Sequence, residues 1–324
     1  MKNFSTCVII PNYNEIEHLG VCLESVISQS EPFDEIIFID DASTDDSLAL
    51  GEKMLQELTN VRILRNKVNL GTERSINRAL ELCTSDYVMF LSANDIISIH
   101  LVNRFKNSVT CEVGFWTALS VNLSTDGSQI MPRRTPIVSR SSRYFNAEET
   151  IKLGLAYVNW NTGTSTLYNA ALVRAHRGLS PIVGGLSDWL LCLIVGIQKG
   201  SHFHPEILCK IRSHSNAHLS RTMTDEHLIY KASAYLEQEL SGRYCSAEQL
   251  GQLIERVKQR ILINQILSAL KDVSGNHFNY RLPMFLKLLG VLFSGSGMTN
   301  LLISGYGKYI RYRSFYADFL RLNF

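Results

Sequence analysis

Residues 7–15 read CVIIPNYNE and residues 35–45 read EIIFIDDASTD. Each is a short apolar run that ends abruptly in polar residues, and His18–Ser28 between them has the three-and-four spacing of an amphipathic helix. The alternation continues, with Ser47–Leu58 helix-like, Val61–Leu64 strand-like, Thr72–Cys83 helix-like and Tyr87–Leu91 strand-like. Continuous apolar strands separated by helix-length stretches call for an α/β fold with a mostly parallel sheet and crossover helices. Such sheets bind ligands beyond the carboxyl ends of their strands, so the residues that follow each strand are where chemistry is sought.

After the first strand stand Pro11, Asn12, Tyr13, Asn14 and Glu15. The turn has no glycine, which excludes the dinucleotide fingerprint, and no P-loop pattern occurs. In their place are an aromatic ring, Tyr13, that can stack on a base, and carboxylates that can accept hydrogen bonds from base N–H or ribose hydroxyls. Asp40 and Asp41 close the second strand; Ser43 or Asp45 would suffice as a helix cap, so two adjacent acids at a strand end favour ligand binding. After the fourth strand come Ser92, Ala93, Asn94 and Asp95. A carboxylate beside an amide suits a hard divalent ion and equally suits a turn.

The 324 residues are enough for one large domain and a smaller appendage, and a net charge of +2 gives no footing for nucleic acid. Seven cysteines lie singly among apolar neighbours, which indicates neither a disulfide framework nor a zinc cluster and fits a reducing cytoplasm. The apolar run at the amino terminus is too short for a signal peptide or a span, so a cytoplasmic location is expected. Ser120–Arg143, with Pro132, Pro136 and several arginines, reads as a long loop or hairpin, a candidate lid. A helix is expected near Ala147–Leu155, another over Asp188–Gln198 and a strand over Glu206–Ile211. Beyond about residue 220 the pattern turns helical, with Leu250, Leu253, Ile254, Val257, Ile261 and Leu270 on one face. This divides the chain into residues 1–220 and a helical region, 221–324. Met284–Ile303 is apolar but broken by Gly and Ser, and Lys308–Arg321 mixes basic and aromatic residues; a buried hairpin or peripheral contact with an anionic membrane surface both fit.

PNYNE, DDASTDDS, NLGTERSIN (residues 69–77) and DYVMFLSAND (residues 86–95), in this order and spacing, resemble the family 2 glycosyltransferases of the GT-A fold over roughly the first 215 residues. The resemblance implies a Rossmann-like sheet and an inverting transfer from a nucleoside-diphosphate sugar, a UDP-sugar foremost, to a hydroxyl of a glycan or lipid-linked acceptor in surface polysaccharide assembly. It implies a nucleotide site of Pro11, Tyr13, Glu15, Asp40, Asp41, Asn69, Asn77 and Asn94, with Gly71 beside it. The arginine usual before the second asparagine is Ile76 here, with Arg74 nearby. The family's acidic metal motif reads Ser92–Asp95, of which one carboxylate is kept; Asp95 and, from the Arg212-Ser213-His214 segment, His214 are the implied ligands of Mg2+ or Mn2+. Gly184–Trp189 resembles the segment that carries the catalytic base, which makes Asp188 the group to deprotonate the acceptor. By contrast, His202, His204 and His218 are expected to be ordinary surface histidines. Asn161, Gly163 and Thr164 resemble a stretch that shapes the acceptor side. The weakened motif also admits a degenerate member that binds a sugar nucleotide or a partner without transfer.

Overall fold

The computed structural model describes residues 4–124, 126–132, 135–157, 163–212, 222, 225 and 227–274, with side chains up to residue 265. The expected alternation is present as β1 (Thr6–Asn12), α1 (Ile16–Ile27), β2 (Glu35–Asp40), α2 (Ser47–Leu55), β3 (Val61–Arg65), α3 (Thr72–Leu80) and β4 (Tyr87–Phe90). β2 and β4 flank β1 and β3 flanks β2, all parallel. For β1, β2 and β4 the cause is two-sided burial, whereas β3, at the sheet edge, stays partly exposed with Arg62 within it. Val8 and Ile10, Ile36 and Phe38, and Tyr87 and Met89 face a core closed by Leu19, Leu23 and Val26 of α1. Cys7 and Ile9, Ile37 and Ile39, and Val88 and Phe90 face a second core closed by Ile76, Ala79 and Leu80 of α3. A period of two along the strand against two helical layers leaves no strand position for a polar side chain until the strand ends.

The remaining elements were not all legible in the sequence. They are β5 (Ile96–Ile97), α4 (Leu101–Ser108), β6 (Phe115–Leu123), β7 (Ile130–Pro132), β8 (Arg143–Phe145), α5 (Ala147–Ala156), β9 (Thr166–Asn169), α6 (Ala170–Ala175), α7 (Ser187–Lys199) and β10 (Ser201–Arg212). The sheet order is β3-β2-β1-β4-β9-β6-β10-β5, with β7 on β6 and β8 on β10. β9 runs antiparallel to β4 and β6, which makes the sheet mixed beyond β4. The expected loop at Ser120–Arg143 is partly strand: Val121–Leu123 pair antiparallel with Ile130–Pro132, so a hairpin projects from the carboxyl end of β6. The α5 start is set by a capping box between Asn146 and Glu149.

β10 begins five residues before the strand expected at Glu206, and this corrects the reading of two histidines. His202 and His204 are buried, not on the surface. The His202 Nε2 lies 2.8 Å from the Ser142 hydroxyl and the His204 ring stacks 5.7 Å from Trp116. Burial, with His204 beside it, pushes the His202 imidazole down to about 4. His218 lies outside the described residues.

Beyond the sheet, α8 (Leu228–Leu240) and α9 (Ala247–Ser274) follow as expected. The stripe Leu250, Leu253, Ile254, Val257 and Ile261 is buried in one cluster with Ile151 of α5 and Trp189, Leu190 and Ile194 of α7. Arg260 adds its guanidinium over the Trp189 ring at 3.8 Å. The side chain of Leu270 and the apolar and basic segments of residues 284–324 lie outside the described residues. Among the described residues no helix is long and apolar enough to cross a membrane.

Gly114, just before β6, donates to the Gly200 carbonyl, and a Cβ there would stand 2.0 Å from the Val195 carbonyl oxygen. Backbone cannot yield as a side chain can. Gly114→Ala is therefore expected to cost about 3 kcal/mol in urea unfolding, whereas Gly251→Ala on α9, with nothing within 4 Å of the added carbon, is expected to stabilise by up to about 1 kcal/mol.

Candidate active site

Three strand ends and one helix start build the site. At the end of β1, Asn12 is buried, and its amide nitrogen donates to Asp40 Oδ1 at 3.0 Å, Ser43 Oγ at 3.1 Å and Ser47 Oγ at 2.8 Å. Asp40 Oδ2 accepts from the Ser43 amide at 3.1 Å. Asp40 has no exposed surface, and its carboxylate orders the turn between β2 and α2. The helix-cap role considered for this acidic stretch falls to Asp45. Its oxygens accept from Ile16 N at the start of α1 and from the amide and hydroxyl of Ser47 at the start of α2. Burial works against its ionisation, but these hydrogen bonds outweigh it and hold the Asp45 carboxyl below its ordinary value.

Asp41 faces the other way. It accepts from Asn66 Nδ2 at 2.7 Å, Leu70 N at 2.8 Å and Gly71 N at 2.9 Å, so one carboxylate shapes the Asn69-Leu70-Gly71 turn beside the β1 and β2 ends. Asn69 stays exposed and its oxygen accepts from Gly71 N. Arg78 donates to Asn66 and so supports Asp41 from behind. Ala42, next in the chain, has φ 61, and Asn14 has φ 55. For alanine this is a strained conformation, held at the rim by the hydrogen bonds around it. Tyr13 is 45% exposed at that rim, and Pro11 is half-buried.

Asn77 does not reach this rim. Its Nδ2 donates to the Leu179 carbonyl and its Oδ1 accepts from the Leu179 amide, both at 2.8 Å. A Cβ on Gly178, at φ 79, would collide with Asn77 Oδ1 at 2.1 Å. Asn77 thus ties α3 to the segment leading into α7. Ile76, standing where the family has arginine, is buried in the second core.

At the end of β4, Asp95 is 2% exposed. Its oxygens accept from the Thr164 hydroxyl at 3.1 Å and the Arg212 amide at 2.8 Å. Asn94 is buried, with its amide nitrogen 3.5 Å from Glu15 Oε1, and its carbonyl receives Arg212 Nε at 3.3 Å. Glu15 is half-buried; burial first, then the Asp45 carboxylate, raise its carboxyl above the ordinary value, while the Arg212 guanidinium opposes them. Arg212 also reaches the Ser124 carbonyl of the hairpin at 3.3 Å. Asp95, Asn94 and Glu15 offer hard oxygen donors in one place, a set that fits Mg2+ or Mn2+. His214 lies outside the described residues.

Asp188 stands in the first turn of α7. Ser187 does not cap that helix; its hydroxyl instead accepts from the Ser180 amide. Asp188 Oδ1 accepts from the Trp189 amide at 2.6 Å, and a Cβ on Gly163 would stand 1.5 Å from Oδ2. The carboxylate therefore lies against the bare Gly163 backbone. Gly163 and Thr164 belong to a single 3-10 turn, Gly163–Ser165, so one turn touches Asp188 with its first residue and Asp95 with its second. Asn161 lies outside the described residues. Gly184, at φ 50, and Gly185 precede α7, and the Gly185 amide donates to the Thr222 hydroxyl at 2.9 Å. Sequence reasoning named Asn12, Thr164 and Arg212 without roles and did not see Asn66 or Thr222; lone polar residues in loops carry no periodic signal.

Residues 7–162, just under half of the chain, match the model described as Glycosyl transferase family 2. Through this segment the chain resembles glycosyl transferase family 2. It is 26% identical over 171 residues to the teichoic acid poly(glycerol phosphate) polymerase of Staphylococcus epidermidis, a match that covers 52% of this chain and 23% of that protein. The chain spans about a quarter of the length of the first curated relatives it matches. Among solved structures, S. aureus TarS 1-349 in complex with UDP superposes with a TM-score of 0.63 at 14% identity, covering 94% of this chain and 87% of that one. The mannosyltransferase PcManGT of Pyrobaculum calidifontis, in complex with GDP-Man and Mn2+, gives 0.59 at 14% identity, covering 96% and 88%. The fold of the chain is of the GT-A type.

If Asn77 is a tie between elements, Asn77→Ala strands the Leu179 amide and carbonyl and should cost about 2 kcal/mol in chemical denaturation. Nucleotide affinity, read by calorimetry, should stay within about threefold of wild type, a change well under 1 kcal/mol.

Proposed function

We propose that the protein is an inverting glycosyltransferase that moves a sugar from a nucleoside-diphosphate sugar to a hydroxyl of a glycan or lipid-linked acceptor. The observation that carries the reading is the Gly163–Ser165 turn, which keeps the Asp188 carboxylate and the Asp95 carboxylate on neighbouring residues of one rigid segment. Inverting transfer asks for that pairing: a base for the attacking hydroxyl close to the group that manages the diphosphate.

In this reading Tyr13 stacks on the base, and Asp41, which fixes the Leu70–Gly71 amides, presents a carboxylate edge to the nucleoside. A uridine donor is supported by the TarS complexes with UDP and UDP-GlcNAc. Asp188, backed by the Trp189 amide and Gly163, takes the proton from the acceptor hydroxyl as it attacks. A divalent ion, Mg2+ or Mn2+, supplies neutralisation of the diphosphate leaving group when bound, and Asp95 with Asn94 and Glu15 would hold it; the PcManGT complex with Mn2+ supports that choice. Arg212 joins the Asn94–Asp95 turn to the β6–β7 hairpin, so closure of the hairpin over the donor would be felt at the metal carboxylate. Residues 1–220 form the catalytic part, and the helical region 221–324 is proposed to bring it to the cytoplasmic membrane surface for surface polysaccharide assembly, the setting of the teichoic acid relative.

Asp188→Asn is expected to abolish transfer while Mn2+-dependent thermal stabilisation by UDP persists; loss of both in a folded protein would remove Asp188 from the role of base. Gly163→Ala should lower kcat about a hundredfold by displacing the same carboxylate, with the Kd for UDP unchanged. A nucleotide panel that produces no thermal shift with or without Mn2+ would overturn the donor site itself.

A further inference from the structure

Cys7 and Cys83 are 76 positions apart in the sequence, and the fold brings them together at the amino-terminal ends of the strands, the opposite end of β1 from Asn12. Cys7, the second residue of β1, is in register with Glu35 of β2, and Cys83 sits on the turn between α3 and β4, its carbonyl held by Arg174 Nη1 at 3.1 Å. The two sulfurs and a Glu35 oxygen all lie within 4.8 Å of one another. Both thiols belong to the second core, at 0% and 5% exposed, and the turn that carries Cys83 also carries the exposed Leu82.

Two thiols and a carboxylate in one place suggest a metal site, but Glu35 is already occupied. Its Oε2 accepts from Thr84 N at 2.9 Å, Ser85 N at 3.2 Å and Ser85 Oγ at 3.0 Å, and its Oε1 from the Thr84 hydroxyl and Arg62. A carboxylate with five donors around two oxygens has little to offer an ion. The dithiol remains. We propose that Cys7 and Cys83 form an oxidation-sensitive pair that closes to an intramolecular disulfide with a hydroperoxide.

Within the pair the Cys7 thiol donates to the Cys83 sulfur. That hydrogen bond holds the Cys83 thiol below its ordinary value, while the same bond and burial raise Cys7. Cys83, on a turn and the less deeply buried of the two, is the attacking thiolate, and Cys7, enclosed within β1, is the resolving thiol. The Cys83 sulfur attacks one peroxide oxygen, the O–O bond breaks, and the alcohol or water departs with a proton, leaving a sulfenic acid. The Cys7 sulfur then attacks the Cys83 sulfur, the S–O bond breaks, and the hydroxyl leaves as water with the Cys7 proton. Two thiols give up two electrons and two protons, and one hydroperoxide is reduced to alcohol and water. The covalent bond would staple β1 to the α3–β4 turn.

The test is peptide mapping without reduction on the full chain after titration with cumene hydroperoxide. The expected product is a linked pair of peptides carrying Cys7 and Cys83, a mass lower by two hydrogens, and a fall in thiols titrated under denaturing conditions from seven to five, all reversed by dithiothreitol. A Cys111→Ser, Cys245→Ser background removes the two more accessible thiols and should leave the linkage intact, while adding Cys83→Ser should abolish it. Persistence of both free thiols at peroxide levels that fully oxidise Cys111 would overturn the proposal. So would a stoichiometric metal, retained by the purified chain and lost in Cys83→Ser. Neither result bears on the transferase reading, because the pair lies at the far end of the sheet from the site.

Discussion

Two adjacent carboxylates, buried at the end of one strand, hold the architecture of this site. A carboxylate out of water is tolerated only when hydrogen-bonded, and Asp40 and Asp41 solve the problem in opposite directions. Asp40 turns inward to Asn12 and Ser43 and thereby locks the end of β1 to the end of β2. Asp41 turns outward to Asn66, Leu70 and Gly71 and draws the loop after β3 to the same rim. Three strand ends become one surface because two neighbouring charges need donors on both sides. The αL conformation of Ala42 follows from the same demand, since the chain must turn sharply after feeding both side chains into their networks.

The other half of the site depends on a contact that needs an absent side chain. Gly163 has no Cβ, and Asp188 fills the space one would take. Thr164 then meets Asp95, so a turn between a loop and β9 sets the relation of the two acids. Around this the helical layer adds stiffness: Trp189, next to Asp188, is buried among α5, α8 and α9 and covered by Arg260. The C-terminal helices therefore bear on the helix that presents the candidate base, which links their packing to the position of that residue.

Strands β1, β2 and β4 were legible because burial on both faces writes a continuous apolar run, and helices between parallel strands write a three-and-four stripe. β6 and β9 were missed although they are as buried, because beyond β4 the sheet becomes mixed and short strands such as Thr166–Asn169 have no length in which to show a period. His202 and His204 illustrate a second cause. Histidine is read as a surface residue from its polarity, and only the packing of β8 and Trp116 over β10 reveals that both rings are inside.

The sequence by itself determined the α/β class, the strand ends at which polar residues gather, and the resemblance that singles out Asp41, Asp95 and Asp188. These are local facts, written by periodicity and by short motifs. Tertiary structure decided which of the marked residues share a place. It put Asp40 and Asn77 to structural use, set Asp95 and Asp188 on either side of one turn, enlisted Arg212 from the end of β10, and paired Cys7 with Cys83 at the far end of the sheet. The physical reason is that a side chain's role depends on its partners, and here those partners stand up to 118 positions away in the chain.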